Sequence, residues 1–398
     1  MNNRFVYLDH AATTAMRPEV YEAMQSYFIE RYGNPSSIYS FARDGKKAIE
    51  GARDKVAGAL GARAEEIFFT GSGTEADNWA IKGVAYANKF KGNHIITTSI
   101  EHHAVLNTCQ YLEGDGFEVT YLPVDENGLV TPEQVERAIK SNTILISIMF
   151  ANNEIGTIQP IAEIGKLTRK RGIYFHTDAV QAVGNVPINV AEMNIDLLSL
   201  SGHKFYGPKG IGSLYIRKGV KITSFLHGGA QERGRRASTE NVPAIVGLGK
   251  AIEMASSNIE EESRKLIALR DRTIDEVMKG IPFVKLNGHR SQRLPGNINF
   301  SFEFIEGESV LLMLDMKGIA ASTGSACTSG SLDPSHILLA IGVLPELANG
   351  SLRLTFGEEN TQEDVDYLLE VLPAIVERLR EMSPLYEGVE IGGKSYAV

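Results

Sequence analysis

The feature that most constrains this chain is an alternation running from Glu66 to Arg217. Short apolar runs predict strands at Glu66–Thr70, His94–Thr98, Glu118–Pro123, Thr143–Phe150, Tyr174–Ala179, Leu197–His203 and Gly212–Arg217, with helical patterns between most of them. One helix opens with Thr131 as N-cap and Pro132 at the first helical position; another covers Ile161–Arg171. Strands alternating with helices imply an α/β fold with a mainly parallel, doubly wound sheet. Only Lys204–Ile211 separates the last two strands. That is too short for a parallel crossover, so the final strand is expected to be antiparallel.

The flanks read differently. Phe5–Leu8 is a short strand, and helices follow from Pro18 to Tyr27 and over Phe41–Leu60. A long helical region from Pro243 to about Val277 leads into a second unit. That unit holds a strand (Gly296–Phe302), a helix (Ser309–Lys317), the Ser/Gly/Thr run Ser322–Ser331, a helix opened by Asp333-Pro334, the strand Ser351–Thr355 and a last helix with a capping-box pattern at Thr361 and Asp364. A chain of 398 residues can fill two cores. Its net charge of -9 argues against a general nucleic-acid binder, and no apolar run is long enough for a bilayer. MNNRFVYLDHAATT lacks an apolar signal-like stretch, and two cysteines, Cys109 and Cys327, make neither a disulfide framework nor a zinc spacing. A cytoplasmic location is the expectation.

Chemistry gathers at the strand ends. Lys204 follows the run Leu197–Leu200 in a Gly-rich turn, where α/β sheets place ligands. A desolvated lysine there is a nucleophile suited to imine chemistry; a solvated turn lysine is the plain alternative, and the one assigned to Lys209. Gly71-Ser72-Gly73-Thr74 opens a helix, as an anion cup or as a tight turn, without the pattern of a dinucleotide fingerprint or P-loop. Asp178 ends YFHTD and could face a cationic ring nitrogen or cap a helix, with Gln181 one short turn on. His102 follows His94–Thr98 and could stack on a flat cofactor; zinc is disfavoured because H-E-x-x-H is absent. Asn153 follows the strongest apolar run, and Arg353 on SLRLT could fork a carboxylate or lie on a surface strand. Cys327 sits among small polar residues, in a setting suited to a reactive thiol; Cys109, in AVLNTCQYL, reads as packing. A lysine, a ring-nitrogen acid, a phosphate cup and a stacking residue make equipment for pyridoxal phosphate (PLP).

With these residues in view, the chain closely resembles the cysteine desulfurases of the NifS/IscS type, within the fold-type I, class V aminotransferase-like PLP enzymes. The likeness runs through YLDHAATT, YGNPSSIYSFA, FTGSGTEADN, EHHAVL, ANNEIG, HTDAVQAVG, SGHKFYGPKG, RRASTEN, STGSACTSG and SLRLTFG. It implies a seven-stranded sheet in a large PLP-binding domain (15–258) and a smaller α+β domain (1–14 and 259–398) bearing the catalytic-cysteine loop. It also implies that Lys204 binds PLP as an imine, Asp178 pairs with the pyridine nitrogen, Gln181 meets the phenolic oxygen and His102 stacks and moves protons. Gly73, Thr74, Ser201, Gly202 and His203 would bind the cofactor near its phosphate, and Asn153 and Arg353 the substrate carboxylate. Thr239 would reach the phosphate of a partner subunit, which implies a homodimer. Cys327 would be the persulfide-forming nucleophile on a mobile loop, and a transient iron–sulfur ligand. Two residues depart from common family patterns: Thr323 replaces a serine, and Ser238 a glycine, in a place where serine disfavours positive φ.

The implied reaction is conversion of L-cysteine to L-alanine and enzyme persulfide, with an iron–sulfur scaffold protein as acceptor. An aminotransferase or selenocysteine lyase of the same superfamily is the nearest rival; a non-catalytic scaffold that keeps the fold is a rival of another class.

Overall fold

The structure, a computed structural model, describes residues 4–323, 334–386, 390–391 and 394–395. The chain opens with β1 (Val6–Tyr7) and then builds β2 (Ile67–Thr70), β3 (His94–Thr98), β4 (Glu118–Leu122), β5 (Thr143–Ser147), β6 (Tyr174–Asp178), β7 (Leu197–Ser201) and β8 (Gly212–Ile216). β2 to β8 form one seven-stranded sheet in the order β2-β8-β7-β6-β5-β3-β4. β8 runs antiparallel to both of its neighbours, β2 and β7, as its short connection requires. The other pairs in the sheet are parallel. β5 is shorter than its apolar run predicts, yet Ile148 and Phe150 still donate to the carbonyls of His176 and Asp178.

Successive side chains of a strand point to opposite faces, and both faces of this sheet are covered. Phe68, Ile95, Leu145, Leu197 and Leu214 join Trp79, Val84, Val105 and Leu112 of the helices Gly73–Asn88 and His103–Gly114. Their neighbours Phe69, Ile96, Ile146, Leu198 and Tyr215 join Ile49, Val56, Ile164, Leu248 and Ile252 on the other side. That second layer comes from the helices Ser40–Leu60, Ile161–Arg171 and Val242–Ser257.

The expected long helix after Pro243 is two helices, Val242–Ser257 and Ile259–Gly280, parted at Asn258 (φ -136, ψ 21). The reason is local. Ser256 and Ser257 donate their hydroxyls back to Ile252 O and Met254 O, and Ser-Ser-Asn is a weak helical run. Beyond the break a second core gathers Leu269, Ile298, Phe300, Val310, Leu354 and Leu372, and the N-terminal Val6 and Leu8 join it. Its sheet runs β12-β10-β9, from β9 (Val284–Leu286), β10 (Asn297–Phe302) and β12 (Ser351–Thr355), all antiparallel. β1 pairs in parallel with β11 (Ile319–Ala320). The final helix, Gln362–Glu381, starts as expected, with the Asp364 carboxylate accepting from Thr361 N–H. The helix expected to open at Asp333-Pro334 instead covers His336–Ala340 with Ser335 as its cap, because the Ser335 oxygen accepts from Ile337 and Leu338 N–H. Among the described residues no helix is long and apolar enough to cross a membrane.

Candidate active site

The parallel strands β2, β3, β5, β6 and β7 end at one edge of the large sheet, where open α/β sheets bind ligands. Ser72, Gly73 and Thr74 follow β2, His102 follows β3, Asn153 follows β5, Asp178 and Gln181 close β6, and Ser201, His203 and Lys204 close β7. With Ala11, Ala12 and Arg353 these residues line a cavity of about 310 Å³. A larger cavity next to it shares Ala11, Gln181 and Lys204 and is otherwise lined by residues such as Arg17, Tyr206 and Glu358.

Backbone approach makes the cup. Ser72 caps the helix Gly73–Asn88 by accepting from Glu75 N–H at 3.1 Å. A Cβ on Gly73 would sit 2.7 Å from Val180 Cγ2, and one on Gly212 would sit 2.6 Å from the Ser72 carbonyl carbon. Glycine at these two places lets a helix N-terminus, with its unpaired N–H groups, press against the sheet edge. Ser201 and His203 face it from the end of β7. Burial pushes the His203 pKa down to about 4, helped by the charges of Lys204 and Lys209, so the ring is neutral at neutral pH.

Lys204 lies in the 3-10 turn Gly202–Lys204, and its Nζ donates to Ala11 O at 2.5 Å and Ala12 O at 2.8 Å. Gln181 Nε2 donates to the same Ala11 carbonyl at 3.0 Å. Lys209 is exposed, as its plain reading holds. Asp178 is buried; its Oδ1 accepts from Val180 N–H at 2.9 Å, a turn contact rather than a helix cap. Burial raises its pKa, while the charges of His102 and Lys204 act against that rise. His102 Nδ1 accepts from Ala104 N–H at 3.1 Å, which leaves the ring proton on Nε2. Burial lowers its pKa.

Arg353 is buried, so it is no surface-strand arginine. Its guanidinium donates to Asp9 Oδ1 at 2.9 Å and Asn153 O at 3.1 Å, and its buried Nε has no partner among the described residues. Asn153 Oδ1 is likewise buried and has no partner among the described residues. Two expected residues do not line the cavity. Gly202 packs beneath it, where a Cβ would meet Ile211, Leu248 and Pro208 at 3.1 Å. Thr239 is exposed on a segment held by bidentate pairing of Arg236 with Glu75 and of buried Arg53 with Glu232. Beside it Ser238 has φ 135, the backbone that glycine adopts freely and serine does not. Cys327, with the loop and the metal-ligand expectation attached to it, lies outside the described residues. Cys109 is buried and its thiol is pushed up to about 12, which makes it inert packing.

Three buried acids escaped the sequence reading. Asp77 lines the cavity and stands 3.6 Å from His176 Nε2, and burial and the charge of Asp178 push its pKa well up. Burial holds Glu101 at about 8 and Glu154 at about 7. Glu101 directly precedes His102 and Glu154 directly follows Asn153, yet nothing in their local pattern separates them from surface acids.

The aminotransferase class-V family model matches residues 6–368. The chain is 65% identical over 383 residues to "Cysteine desulfurase IscS" of Methanosarcina thermophila, covering 96% of this chain and 95% of that one. A solved structure named "NIFS-LIKE PROTEIN" superposes with a TM-score of 0.89 at 39% identity, covering 94% of this chain and 100% of that one. Another, "SspA in complex with cysteine", has a TM-score of 0.79 at 40% identity, covering 88% and 98%. The sheet edge, the lysine turn and these likenesses agree: the chain belongs to the aminotransferase class-V family, in the branch whose curated members bear the name cysteine desulfurase.

Proposed function

We propose that this protein is a PLP-dependent cysteine desulfurase that converts L-cysteine to L-alanine, leaves the sulfur as a persulfide on Cys327 and supplies it for iron–sulfur cluster assembly. The observation that carries the reading is the convergence of Lys204, Asp178, His102, Asn153 and Arg353 on one cavity at the sheet edge. PLP fits this donor set. The glycine-cleared helix N-terminus suits a phosphate, and the buried Asp178 carboxyl at the end of β6 suits a protonated ring nitrogen. When bound, PLP draws electrons from the α-carbon of an attached amino acid.

The chain's own residues have separable tasks. The N–H groups after Ser72, with Thr74, Ser201 and His203, would hold the phosphate. Asp178 would keep a proton at the ring nitrogen, Gln181 Nε2 would donate to the phenolic oxygen, and His102 would lie against the ring. Lys204 would carry the cofactor until the substrate amine takes its place, and its freed Nζ would then take the α-proton. Arg353 and Asn153 orient the substrate carboxylate. The Cys327 thiolate then bonds to the substrate sulfur, and the carbon–sulfur bond breaks with its electron pair left on carbon. Protonation there completes alanine, so L-cysteine and one thiol become L-alanine and one persulfide.

Thr239, exposed beside the cup-forming helix, would complete the phosphate site of a second copy, which makes the working form a homodimer. The division into a large domain (15–258) and a small one (1–14 and 259–398) accords with the break at Asn258 and with Val6 and Leu8 in the second core. A cytoplasmic location and an iron–sulfur scaffold protein as acceptor complete the reading.

Mass spectrometry after exposure to L-cysteine tests it. The added sulfur is expected on Cys327, with an equal amount of alanine; Cys327→Ala should stay yellow and lose persulfide, and Lys204→Ala should lose all turnover. Sulfur found only on Cys109, or on neither cysteine, would overturn the mechanism.

A further inference from the structure

The segment that carries Cys327 lies between the described residues Thr323 and Pro334. Its two flanks are fastened differently. Upstream, Ser322 pairs with Arg353 through the main chain: Ser322 N–H donates to Arg353 O at 3.2 Å, and Arg353 N–H donates to Ser322 O at 2.7 Å. Downstream, the fastening is a side chain. The Ser335 hydroxyl donates to Glu154 Oε2 at 2.5 Å while its oxygen caps the helix His336–Ala340. Both fastenings therefore end at the place proposed for the substrate carboxylate, one on Arg353 itself and one beside Asn153.

Glu154 is held on its own account. Its N–H donates to Asn152 Oδ1 at 2.9 Å, and its carbonyl accepts from Asn299 Nδ2 at 3.3 Å. It is 5% exposed. A buried carboxyl costs free energy that an apolar residue would not, so a purely structural position has no need of one. What the carboxyl adds here is a directional contact to the flank of the Cys327 segment.

We propose that Glu154 is a positioning residue for sulfur transfer. Through the Ser335 hydroxyl it sets where the downstream flank of the Cys327 segment stands relative to Asn153 and Arg353. The inference rests on the desulfurase reading. Two sulfurs must approach to about 3–3.5 Å, and a misplacement of about 1 Å far from the reacting atoms can slow a reaction about a hundredfold.

The test uses the PLP-loaded enzyme and L-cysteine. In Glu154→Ala the first-turnover rate of persulfide formation on Cys327 should fall by about 10- to 100-fold. The substrate affinity read from the spectral change on mixing should stay at the wild-type value. Glu154→Gln, whose amide oxygen still accepts from Ser335, should keep most of the rate. Ser335→Ala removes the same contact without touching the acid, though with it the cap on Ile337 and Leu338, so it tests the contact where Glu154→Ala fails to fold. The double variant should be no slower than the slower single one, as coupled groups require. In the cofactor-free protein, amide exchange at Ile337 and Leu338 should quicken in Glu154→Ala and not in Glu154→Gln. Wild-type transfer rates in both alanine variants, or an affinity that falls in step with the rate, would overturn the proposal. Wild-type enzyme that places no sulfur on Cys327 would sink the desulfurase reading instead.

Discussion

The cavity has a floor and a wall, and they are built on different principles. Asp178, Ser201 and Lys204 stand on the floor at the ends of β6 and β7, central strands of a sheet buried on both faces. Their positions follow from main-chain pairing that continues whatever the side chains are. Arg353 stands in the wall, on a strand of the second core, and reaches the end of β5 in the large sheet through its contact with Asn153, while Asp9, bridged to its own strand at Thr355, accepts from it on the near side. Its main chain is paired too, but the place of its guanidinium depends on the groups that it touches, the Asp9 carboxylate and the Asn153 carbonyl. A floor substitution should therefore remove chemistry and leave geometry, whereas a wall substitution should loosen geometry and leave chemistry.

The sharpest way to break this contrast is Asp178→Ala. Loss of the buried charge should lower turnover by about 10²- to 10³-fold, the scale of a lost preorganised electrostatic group. The melting temperature of the cofactor-free protein should hardly move. Near-normal turnover would reduce Asp178 to a former of the turn at Val180.

Next comes Arg353→Lys, which keeps the charge and loses the fork. A charge-assisted hydrogen bond is worth about 1.5–3 kcal/mol, so KM for L-cysteine should rise by about 10- to 100-fold. kcat should change less, and steady-state kinetics separates the two. A kcat that falls with KM unchanged would place Arg353 among the chemical groups of the floor.

A smaller effect follows from Glu101, where the floor meets the second strand-end helix. Its Oε1 accepts from Thr98 Oγ1 and Met149 N–H, and its other, buried oxygen has no partner among the described residues. Burial holds its pKa at about 8 against an ordinary 4.5. A folded value above the unfolded one means that its contribution to stability is whole below about pH 4.5 and is lost as pH rises through about 8. Glu101→Gln should therefore melt higher relative to wild type at pH 9 than at pH 5, by at least a few degrees. A difference that does not vary with pH would mean that the acid is ionised throughout.

The smallest effect belongs to the arm that presents Thr239. Ser238→Gly should relieve the positive φ and raise stability by about 1 kcal/mol, net of the entropy glycine loses. Equal or lower stability, measured by denaturant unfolding, would show that the arm relaxes without cost in the serine form.

The sequence by itself determined the local grammar. Short apolar runs bounded by helices or turns specify strands at His94–Thr98 and Ser351–Thr355 to the residue, because a strand covered on both faces is buried along its whole length. The short connection Lys204–Ile211 specified the direction of β8. The ordered motifs named the residues of the cavity. Tertiary structure alone decided which of them meet. It wedged β8 between β2 and β7, so that Gly212 lies under Ser72. It buried Arg353, which an alternating strand pattern cannot distinguish from a surface arginine. It brought Glu154 to Ser335, residues 181 positions apart, and Asp77 to the side of Asp178. Local periodicity reports which face of an element is buried. Whether a carboxyl on that element meets water, a hydroxyl or another acid depends on contacts made across the chain, which no local pattern records.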